Sequence, residues 1–232
     1  MLPPCTPSDS PGRIAAMSDA SEIPLIICFG DSLTAGYQTP TRTEPAARDT
    51  PYGEVLQERL GDTARVRISG ICGETTGEMV LRFRADVLAH HPRAVVLLGG
   101  TNDLGWNADP AEIMRNLTKM YELPRGAGIL PVPVTVPSIR VEEAAGSREA
   151  MAWVEEHIRR RQQLNAMIAS YAERKSLRYL DLFTATADPE TLQLAARYSN
   201  DGLHLTTNGY HLFGALLYEQ IFAPESAGPV GA

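Results

Sequence analysis

The chain has 232 residues, 44% of them hydrophobic, which is enough to bury the core of one α/β domain. Its formal charge of −7 argues against a nucleic-acid partner, because surfaces that bind phosphate backbones concentrate lysine and arginine. No apolar stretch of the sequence reaches the length of a membrane span or a signal-peptide core, so we expect no membrane span.

The two ends and the cysteines predict a single domain in a reducing compartment. Residues 1–23 contain several prolines and predict a disordered leader, within which Met17 is an alternative start to Met1. Residues 224–232 predict a disordered tail, which leaves residues 24–223 as the domain. The three cysteines form no CxxC pair, and an odd number leaves a free thiol, which favours a cytoplasmic location.

The first elements along the chain alternate between strand and helix. Residues 25–29 form an apolar run ending in glycine, which predicts a strand buried on both faces. Residues 50–61 begin with Thr-Pro and end with glycine, which favours a short helix. A second strand near residues 65–69 precedes apolar residues at helical spacing over 79–88, so a βαβ unit is expected.

The alternation continues through the middle of the chain. Residues 94–98 are again a short apolar run, and residues 109–112 have the cap, proline and acid of a helix start. Residues 129–136 predict a fourth strand, although Pro131 and Pro133 require an edge, a bulge or a strand end, where ladder donors are dispensable.

The last elements complete the expected fold. A long helix is predicted over residues 149–175, and its cluster Arg159–Arg161 is typical of a solvated face. Residues 178–182 predict a fifth strand, and residues 206–222 a final amphipathic helix. This order predicts a three-layer α/β/α sandwich with a central five-stranded parallel sheet, whose ligands bind at the carboxyl ends of the strands.

Ser32 lies in the first loop at that edge, Phe29-Gly-Asp-Ser-Leu-Thr-Ala-Gly36. Glycines on both sides of a strand-to-helix turn allow the backbone to expose a hydroxyl and to aim N–H groups at an incoming oxygen. Serine is also a preferred N-cap, so a lone serine here favours a plain helix cap over a nucleophile.

Two further loops follow the second and third strands. Gly70-Ile-Cys-Gly-Glu-Thr-Thr76 contains glycines that allow the main chain to approach a ligand closely. Leu98-Gly-Gly-Thr-Asn-Asp103 presents a carboxamide that could donate to a developing oxyanion. Each sequence also fits an ordinary turn.

The fourth loop, Asn200-Asp-Gly-Leu-His-Leu-Thr206, contains a carboxylate three residues before an imidazole. This spacing allows Asp201 to hold one nitrogen of His204, which leaves the other free to deprotonate an alcohol. Taken alone, the pair fits a salt bridge within a loop at least as well.

Taken together and in this order, the four loops resemble the SGNH hydrolase family, also called the GDSL esterases and lipases, from Phe29 to Thr206. The resemblance implies a flavodoxin-like sandwich with Ser32 as nucleophile, His204 as base and Asp201 as the acid that orients the base. It also agrees with the absence of a GxSxG nucleophile elbow in the sequence.

The resemblance further implies an oxyanion hole made of the backbone N–H groups of Ser32 and Gly73 and the side-chain amide of Asn102. Cys72 and Glu74 stand where many members of the family have serine and aspartate. Both changes conserve size or charge and leave the glycine between them in place.

The expected activity is hydrolysis of small or short-chain carboxylic esters through an acyl-enzyme, with no metal and no organic cofactor. A carbohydrate O-deacetylase, a lysophospholipase or a thioesterase would use the same residues on another ester. A non-catalytic α/β binding module is disfavoured, because the serine, glycine, asparagine and histidine of the family are all present. The expected partner is a small ester, and the oligomeric state stays open.

Several residues beside the four loops are candidates for contact with the substrate, and residues 137–146 form an insertion that could act as a movable rim. The candidates are Asp31, Tyr37, Trp106, Val136 and Leu203.

Overall fold

A computed structural model of the chain describes four segments, residues 23–42, 45–46, 49–141 and 147–224. The predicted leader, 1–23, and the predicted tail, 224–232, therefore lie almost entirely outside the described residues. Half of the predicted rim, residues 142–146, also lies outside them.

The described residues contain four strands, all parallel, and they form one sheet. The strands are β1 (Leu25–Gly30), β2 (Arg65–Gly70), β3 (Ala94–Leu98) and β4 (Leu130–Pro133). Their order across the sheet is β2-β1-β3-β4, so β1 and β3 are the inner strands. The chain leaves β1, β2 and β3 at the same edge, because parallel strands point the same way.

Helices connect the strands. They are α1 (Ser32–Ala35), α2 (Tyr52–Leu60), α3 (Thr76–Asp86), α4 (Thr101–Gly105), α5 (Pro110–Gly126), α6 (Arg148–Arg174), α7 (Leu182–Thr186) and α8 (Thr207–Leu217), which a π-helical turn extends through Phe222. The helices that were predicted begin within a few residues of their expected starts, whereas α4 and α7 were not predicted. Of the helices described, none has an apolar stretch that would reach across a membrane.

Two apolar cores lie on the two faces of the sheet, which confirms the three-layer sandwich. Along β1, Ile26 and Cys28 point into the core covered by α2 and α8, whereas Ile27 and Phe29 point into the core covered by α3, α5 and α6. All four side chains are at most 4% exposed. The uninterrupted apolar run follows from this burial on both faces.

The predicted fifth strand is wrong, because residues 178–182 form only an isolated bridge at Leu180 beside the end of β4. Pro131 and Pro133 explain the difference. The N–H groups of Leu130, in β4, and of Val134, directly after it, donate to β3. Alternate residues of a strand direct their backbone nitrogens to opposite sides, so the nitrogens of Pro131 and Pro133 lie on the outer side of β4. A fifth strand would need N–H donors there, and proline has none. The sheet therefore ends at β4, and the prolines lie on its edge, which is one of the three positions expected for them.

The thiols of Cys28 and Cys72 are both free, and the first is buried whereas the second is exposed. Burial raises the pKa of Cys28 to about 12, so this thiol is a packing group. Cys5 lies outside the described residues, and the cytoplasmic location inferred from the cysteines stays a prediction.

Candidate active site

Ser32 is the first residue of α1, and the residue before it is the cap. Asp31 accepts a hydrogen bond from the backbone N–H of Leu33 through Oδ1 at 2.9 Å. The alternative in which Ser32 merely caps the helix is therefore wrong. Because Asp31 has taken over the capping bond, the Ser32 hydroxyl is available for another role.

The Asp31 carboxyl is fully buried, and its Oδ2 has no hydrogen-bond partner among the described residues. Burial raises its pKa from 3.8 to about 7, although the Leu33 N–H bond and the nearby His204 act in the opposite direction.

Asp201 and His204 form the pair predicted from their spacing. Nδ1 of His204 lies 2.8 Å from Oδ2 of Asp201. The same carboxylate accepts from the Thr39 hydroxyl and from the backbone N–H groups of Leu203 and His204. Partial burial would raise its pKa, but these hydrogen bonds outweigh that effect and hold the pKa well below its usual value.

Tyr37 connects the imidazole to the first loop. Its backbone N–H donates to the carbonyl of Ser32 at 3.1 Å, and its ring packs edge-on against His204 with centroids 4.7 Å apart. Tyr210 fixes Tyr37 in turn, because its hydroxyl donates to the Tyr37 carbonyl at 2.7 Å. One residue therefore contacts both Ser32 and His204.

Gly73 and Asn102 lie on the loops that follow β2 and β3. Nδ2 of Asn102 donates to the carbonyl of Glu74 at 2.8 Å, which joins the two loops. Gly73 has a φ of +80° and open space where a Cβ would lie, so the conformation rather than crowding requires glycine. The described residues offer no acceptor to the Gly73 N–H.

Asp103, for which no role was expected from the sequence, reinforces this junction. Its two carboxylate oxygens lie 2.9 and 3.2 Å from the backbone nitrogen of Thr76, and Oδ1 accepts from the Thr76 hydroxyl at 2.6 Å. The N-terminus of α3 is thereby fixed to the loop after β3. Both residues were visible in the loop motifs, but no spacing rule predicts a contact across 27 positions.

Arg82 is a second residue that the motifs did not reveal. Its guanidinium donates to both carboxylate oxygens of Glu74 at 2.6 to 2.8 Å, and to the Gly30 carbonyl at 2.9 Å. It also pairs with Asp86 at 2.8 Å and lies 4.1 Å above the ring of Phe29. We call Glu74, Arg82, Asn102 and Asp103 the Arg82 cluster, which ties together the loops after β1, β2 and β3.

A cavity of about 410 Å³ opens beside the Asp201–His204 pair. We call it the arginine pocket. Its lining consists of Thr101, Asn102, Gly105, Trp106, Ile139, Arg140, Trp153, His157, Arg161, Asp201, Gly202 and Leu203. It therefore brings together Asn102 and Asp201 of the predicted site, whereas Ser32, Gly73 and His204 are not among its lining residues.

The predicted substrate contacts divide into two groups in the structure. Trp106, 81% exposed, and Leu203 line the arginine pocket. Asp31, Tyr37 and Val136 are not among the residues that line it. Val136 is fully buried in the core.

The arginine pocket also corrects the interpretation of the arginine cluster on α6. Arg159 is exposed and pairs with Glu156 on the same helix, as expected of a solvated face. Arg161 is only 2% exposed and lines the pocket. This residue could not be found from the sequence, because the side of a helix that meets a cavity depends on how the helix packs.

Comparison with known proteins places this site in a family. The GDSL-like Lipase/Acylhydrolase family matches residues 28–212, a range that includes all four loops. An arylesterase of Vibrio mimicus is 33% identical over 129 residues, which are 53% of this chain and 60% of the relative. The matches thus span about half to three fifths of the length of the curated relatives.

Solved structures agree on the fold. The lipase/acylhydrolase from Enterococcus faecalis is 26% identical with a TM-score of 0.67, over 85% of this chain and 95% of that one. A carbohydrate acetylesterase from Sinorhizobium meliloti is 18% identical with a TM-score of 0.66, over 85% and 98%. At that identity the second likeness shows the fold alone. The family match confirms the resemblance predicted from the four loops, and the chain belongs to the GDSL-like lipase/acylhydrolase family of hydrolases.

Proposed function

We propose that the protein is a serine carboxylic-ester hydrolase that acts on small or short-chain esters through an acyl-enzyme. The observation that carries the proposal is the 2.8 Å contact between Nδ1 of His204 and Oδ2 of Asp201. A carboxylate accepts only, so Nδ1 carries the proton and Nε2 is left as a base.

Ser32 is the nucleophile in this proposal. Nε2 of His204 takes the hydroxyl proton while Oγ attacks the ester carbonyl, and it then returns the proton to the departing alcohol. Water hydrolyses the acyl-enzyme by the same route. Asp201 stays ionised throughout, because its hydrogen bonds hold its pKa well below neutral pH, and it stabilises the imidazolium ion.

The oxyanion that forms in the first step needs donors that are in place beforehand. The Asn102 amide has two N–H groups, and its bond to the Glu74 carbonyl uses one of them, so the other is available to the oxyanion. The N–H of Gly73 has no acceptor among the described residues, and the N–H of Ser32 lies in the first turn of α1, where no intrahelical partner exists.

Steady-state kinetics on p-nitrophenyl acetate, butyrate, octanoate and palmitate test the proposal. We expect the highest kcat/KM for the two shorter esters, because the adjacent cavity has a volume of only about 410 Å³. His204→Ala is expected to lower kcat by roughly 10³-fold or more. Comparable turnover by that variant, or none by the native protein on any of these esters, would contradict the proposal.

A carbohydrate O-deacetylase is the second candidate, and two exposed rings favour it. Trp106 and Trp153 are 81% and 51% exposed, and both line the arginine pocket. Flat apolar rings suit the faces of sugars, and an acetylesterase of carbohydrates shares the fold. Acetylated monosaccharides assayed beside p-nitrophenyl acetate separate the two functions, since only a deacetylase would prefer the sugar esters.

A further inference from the structure

The arginine pocket contains an unusual share of the polar atoms that lack partners. Among the described residues, five buried side-chain polar atoms have no hydrogen-bond partner. Three of them, Thr101 Oγ1, Arg140 Nε and His157 Nε2, belong to residues that line this cavity. Buried polar atoms nearly always have partners, so their concentration around one cavity indicates a polar ligand.

Arg161 adds a buried positive charge to the same cavity. Its Nε donates to the Pro137 carbonyl at 3.1 Å, and its Nη1 lies 3.5 Å from the His157 carbonyl. No carboxylate among the described residues pairs with it, and the neighbouring Arg160 adds a like charge. Burying a guanidinium without an anion is costly, so this arrangement is suited to a ligand that brings the anion.

Arg140 places a second guanidinium at the pocket. One of its five N–H donors, on Nη2, bonds the Ser199 carbonyl at 2.9 Å, and its Nε is buried without a partner in the described chain. Asp201 is the carboxylate that lines the pocket, but His204, Thr39 and backbone N–H groups already occupy its oxygens. Arg140 and Arg161 therefore place two guanidinium groups on the lining of one pocket, in a protein whose net charge is −7.

His157 supplies an acceptor to the same pocket. Its Nδ1 lies 2.9 Å from the Trp153 carbonyl, which fixes the proton on that nitrogen and leaves Nε2 as an acceptor. Burial, together with the charges of Arg161 and Arg160, lowers its pKa, which favours the neutral ring. Trp153 stacks on the ring with centroids 3.8 Å apart. A ligand hydroxyl or a water molecule can donate a hydrogen bond to Nε2.

We propose that the arginine pocket binds a carboxylate group on the ester substrate, so that the preferred substrates are small esters that carry an additional acid group. The inference rests on the proposed function, because the pocket adjoins the Asp201–His204 pair. A planar carboxylate matches the paired N–H donors of a guanidinium, and a cavity of about 410 Å³ suits a small acid.

The carboxylate could belong to either half of the ester, and matched pairs of substrates distinguish the two. For the acyl half, p-nitrophenyl hydrogen glutarate is compared with p-nitrophenyl valerate. For the alcohol half, p-acetoxybenzoate is compared with p-acetoxybenzamide. We expect kcat/KM for the charged member of one pair to exceed that of the neutral member by about tenfold or more.

Arg161→Met tests the charge while it keeps much of the apolar volume. It is expected to lower the charged-to-neutral ratio of kcat/KM by about tenfold or more. Arg159→Met is the matched control, since it removes the same charge from an exposed position of the same helix, and it should leave the ratio unchanged. If Arg161→Met does not fold, competitive inhibition of the native protein by benzoate is compared with inhibition by benzamide.

The inference would be overturned by no preference for the charged ester in either pair, by a preference that persists in folded Arg161→Met, or by stronger inhibition by benzamide than by benzoate. A higher kcat/KM for p-acetoxyphenyl phosphate than for p-acetoxybenzoate would also overturn it, as it would assign the pocket to phosphate. Hydrolysis of neutral esters distinguishes a failure of this inference from a failure of the proposed function. If their hydrolysis depends on Ser32, that function stands even when the carboxylate preference is absent.

Discussion

The Arg82 cluster and the arginine pocket each surround a mostly buried arginine, but the surroundings differ. The Arg82 side chain is 14% exposed and pairs with the carboxylates of Glu74 and Asp86. Arg161 is 2% exposed and contacts only carbonyl oxygens among the described residues. The first arginine has its anions within the fold, whereas the second has a charge that the described fold does not neutralise. This difference separates a part of the site that is fixed by the fold from a part suited to a ligand.

Asn102 belongs both to the Arg82 cluster and to the lining of the arginine pocket. Of the substitutions that test this comparison, its replacement has the largest expected effect. Asn102→Ala removes one proposed oxyanion donor and is expected to lower kcat by on the order of 10²–10³-fold. The lost bond to the Glu74 carbonyl should cost only about 1 kcal/mol of the free energy of unfolding. Kinetics and urea unfolding measure the two quantities, with exposed Asn208→Ala as the control. A normal kcat in folded Asn102→Ala would refute its role.

Arg82→Met tests whether the Arg82 cluster stabilises the fold. The substitution leaves Glu74, 8% exposed, as a buried carboxylate without its cation, and we expect a loss of about 2–4 kcal/mol in the free energy of unfolding. Exposed Arg84→Met on the same helix is the matched control. The kcat should fall as well, because Glu74 adjoins Gly73.

The double variant Arg82→Met/Glu74→Gln sharpens this prediction. It removes both charges, so it should be more stable than the sum of the two single losses predicts. Additive losses in urea unfolding would show that the two side chains act independently.

Asp31 carries a third effect, which depends on pH. Its pKa in the folded protein is raised from 3.8 to about 7, so its carboxyl favours folding when protonated, and that contribution is lost as the pH rises from about 4 to 7. Asp31→Asn removes the titration. Its free energy of unfolding, relative to the native protein, should therefore rise by up to about 1.4 kcal/mol per pH unit in this window. Unfolding curves that differ by a constant amount across the window would contradict this expectation.

Trp106→Ala has the smallest expected effect and represents the exposed side of the arginine pocket. The ring is 81% exposed, so its removal should change the free energy of unfolding by about 0.5 kcal/mol or less. Thermal or urea unfolding would measure this difference. A loss as large as that of Arg82→Met would remove the contrast between the two regions.

The sequence predicted the parts of the molecule that depend on local pattern. Apolar runs located β1 and β3, and the four loops located the Asp201–His204 pair and the family. Contacts between distant positions could not be predicted, because pairs such as Asp103 and Thr76 join positions that no periodicity relates. The burial of Arg161 was missed for the same reason, since a helical arginine gives no local sign that its side meets a cavity.

The fifth strand shows where a local pattern was misleading. The apolar residues at 178–182 were typical of a strand, but pairing also needs donors on the neighbouring edge. Pro131 and Pro133 remove those donors, and only the bridge at Leu180 remains. The prolines themselves were visible in the sequence, but an edge, a bulge and a strand end were all compatible with them, so the sequence did not show that the sheet stops there.

Labelling with a fluorophosphonate tests the central claim most directly, because the reagent bonds to a serine oxygen only when a base activates it. Intact-mass and peptide analysis of the native protein should show one adduct, on Ser32, and Ser32→Ala should show none under the same conditions. His204→Ala should label far more slowly with its fold intact. An adduct on another serine, or equal labelling of folded Ser32→Ala, would contradict the account.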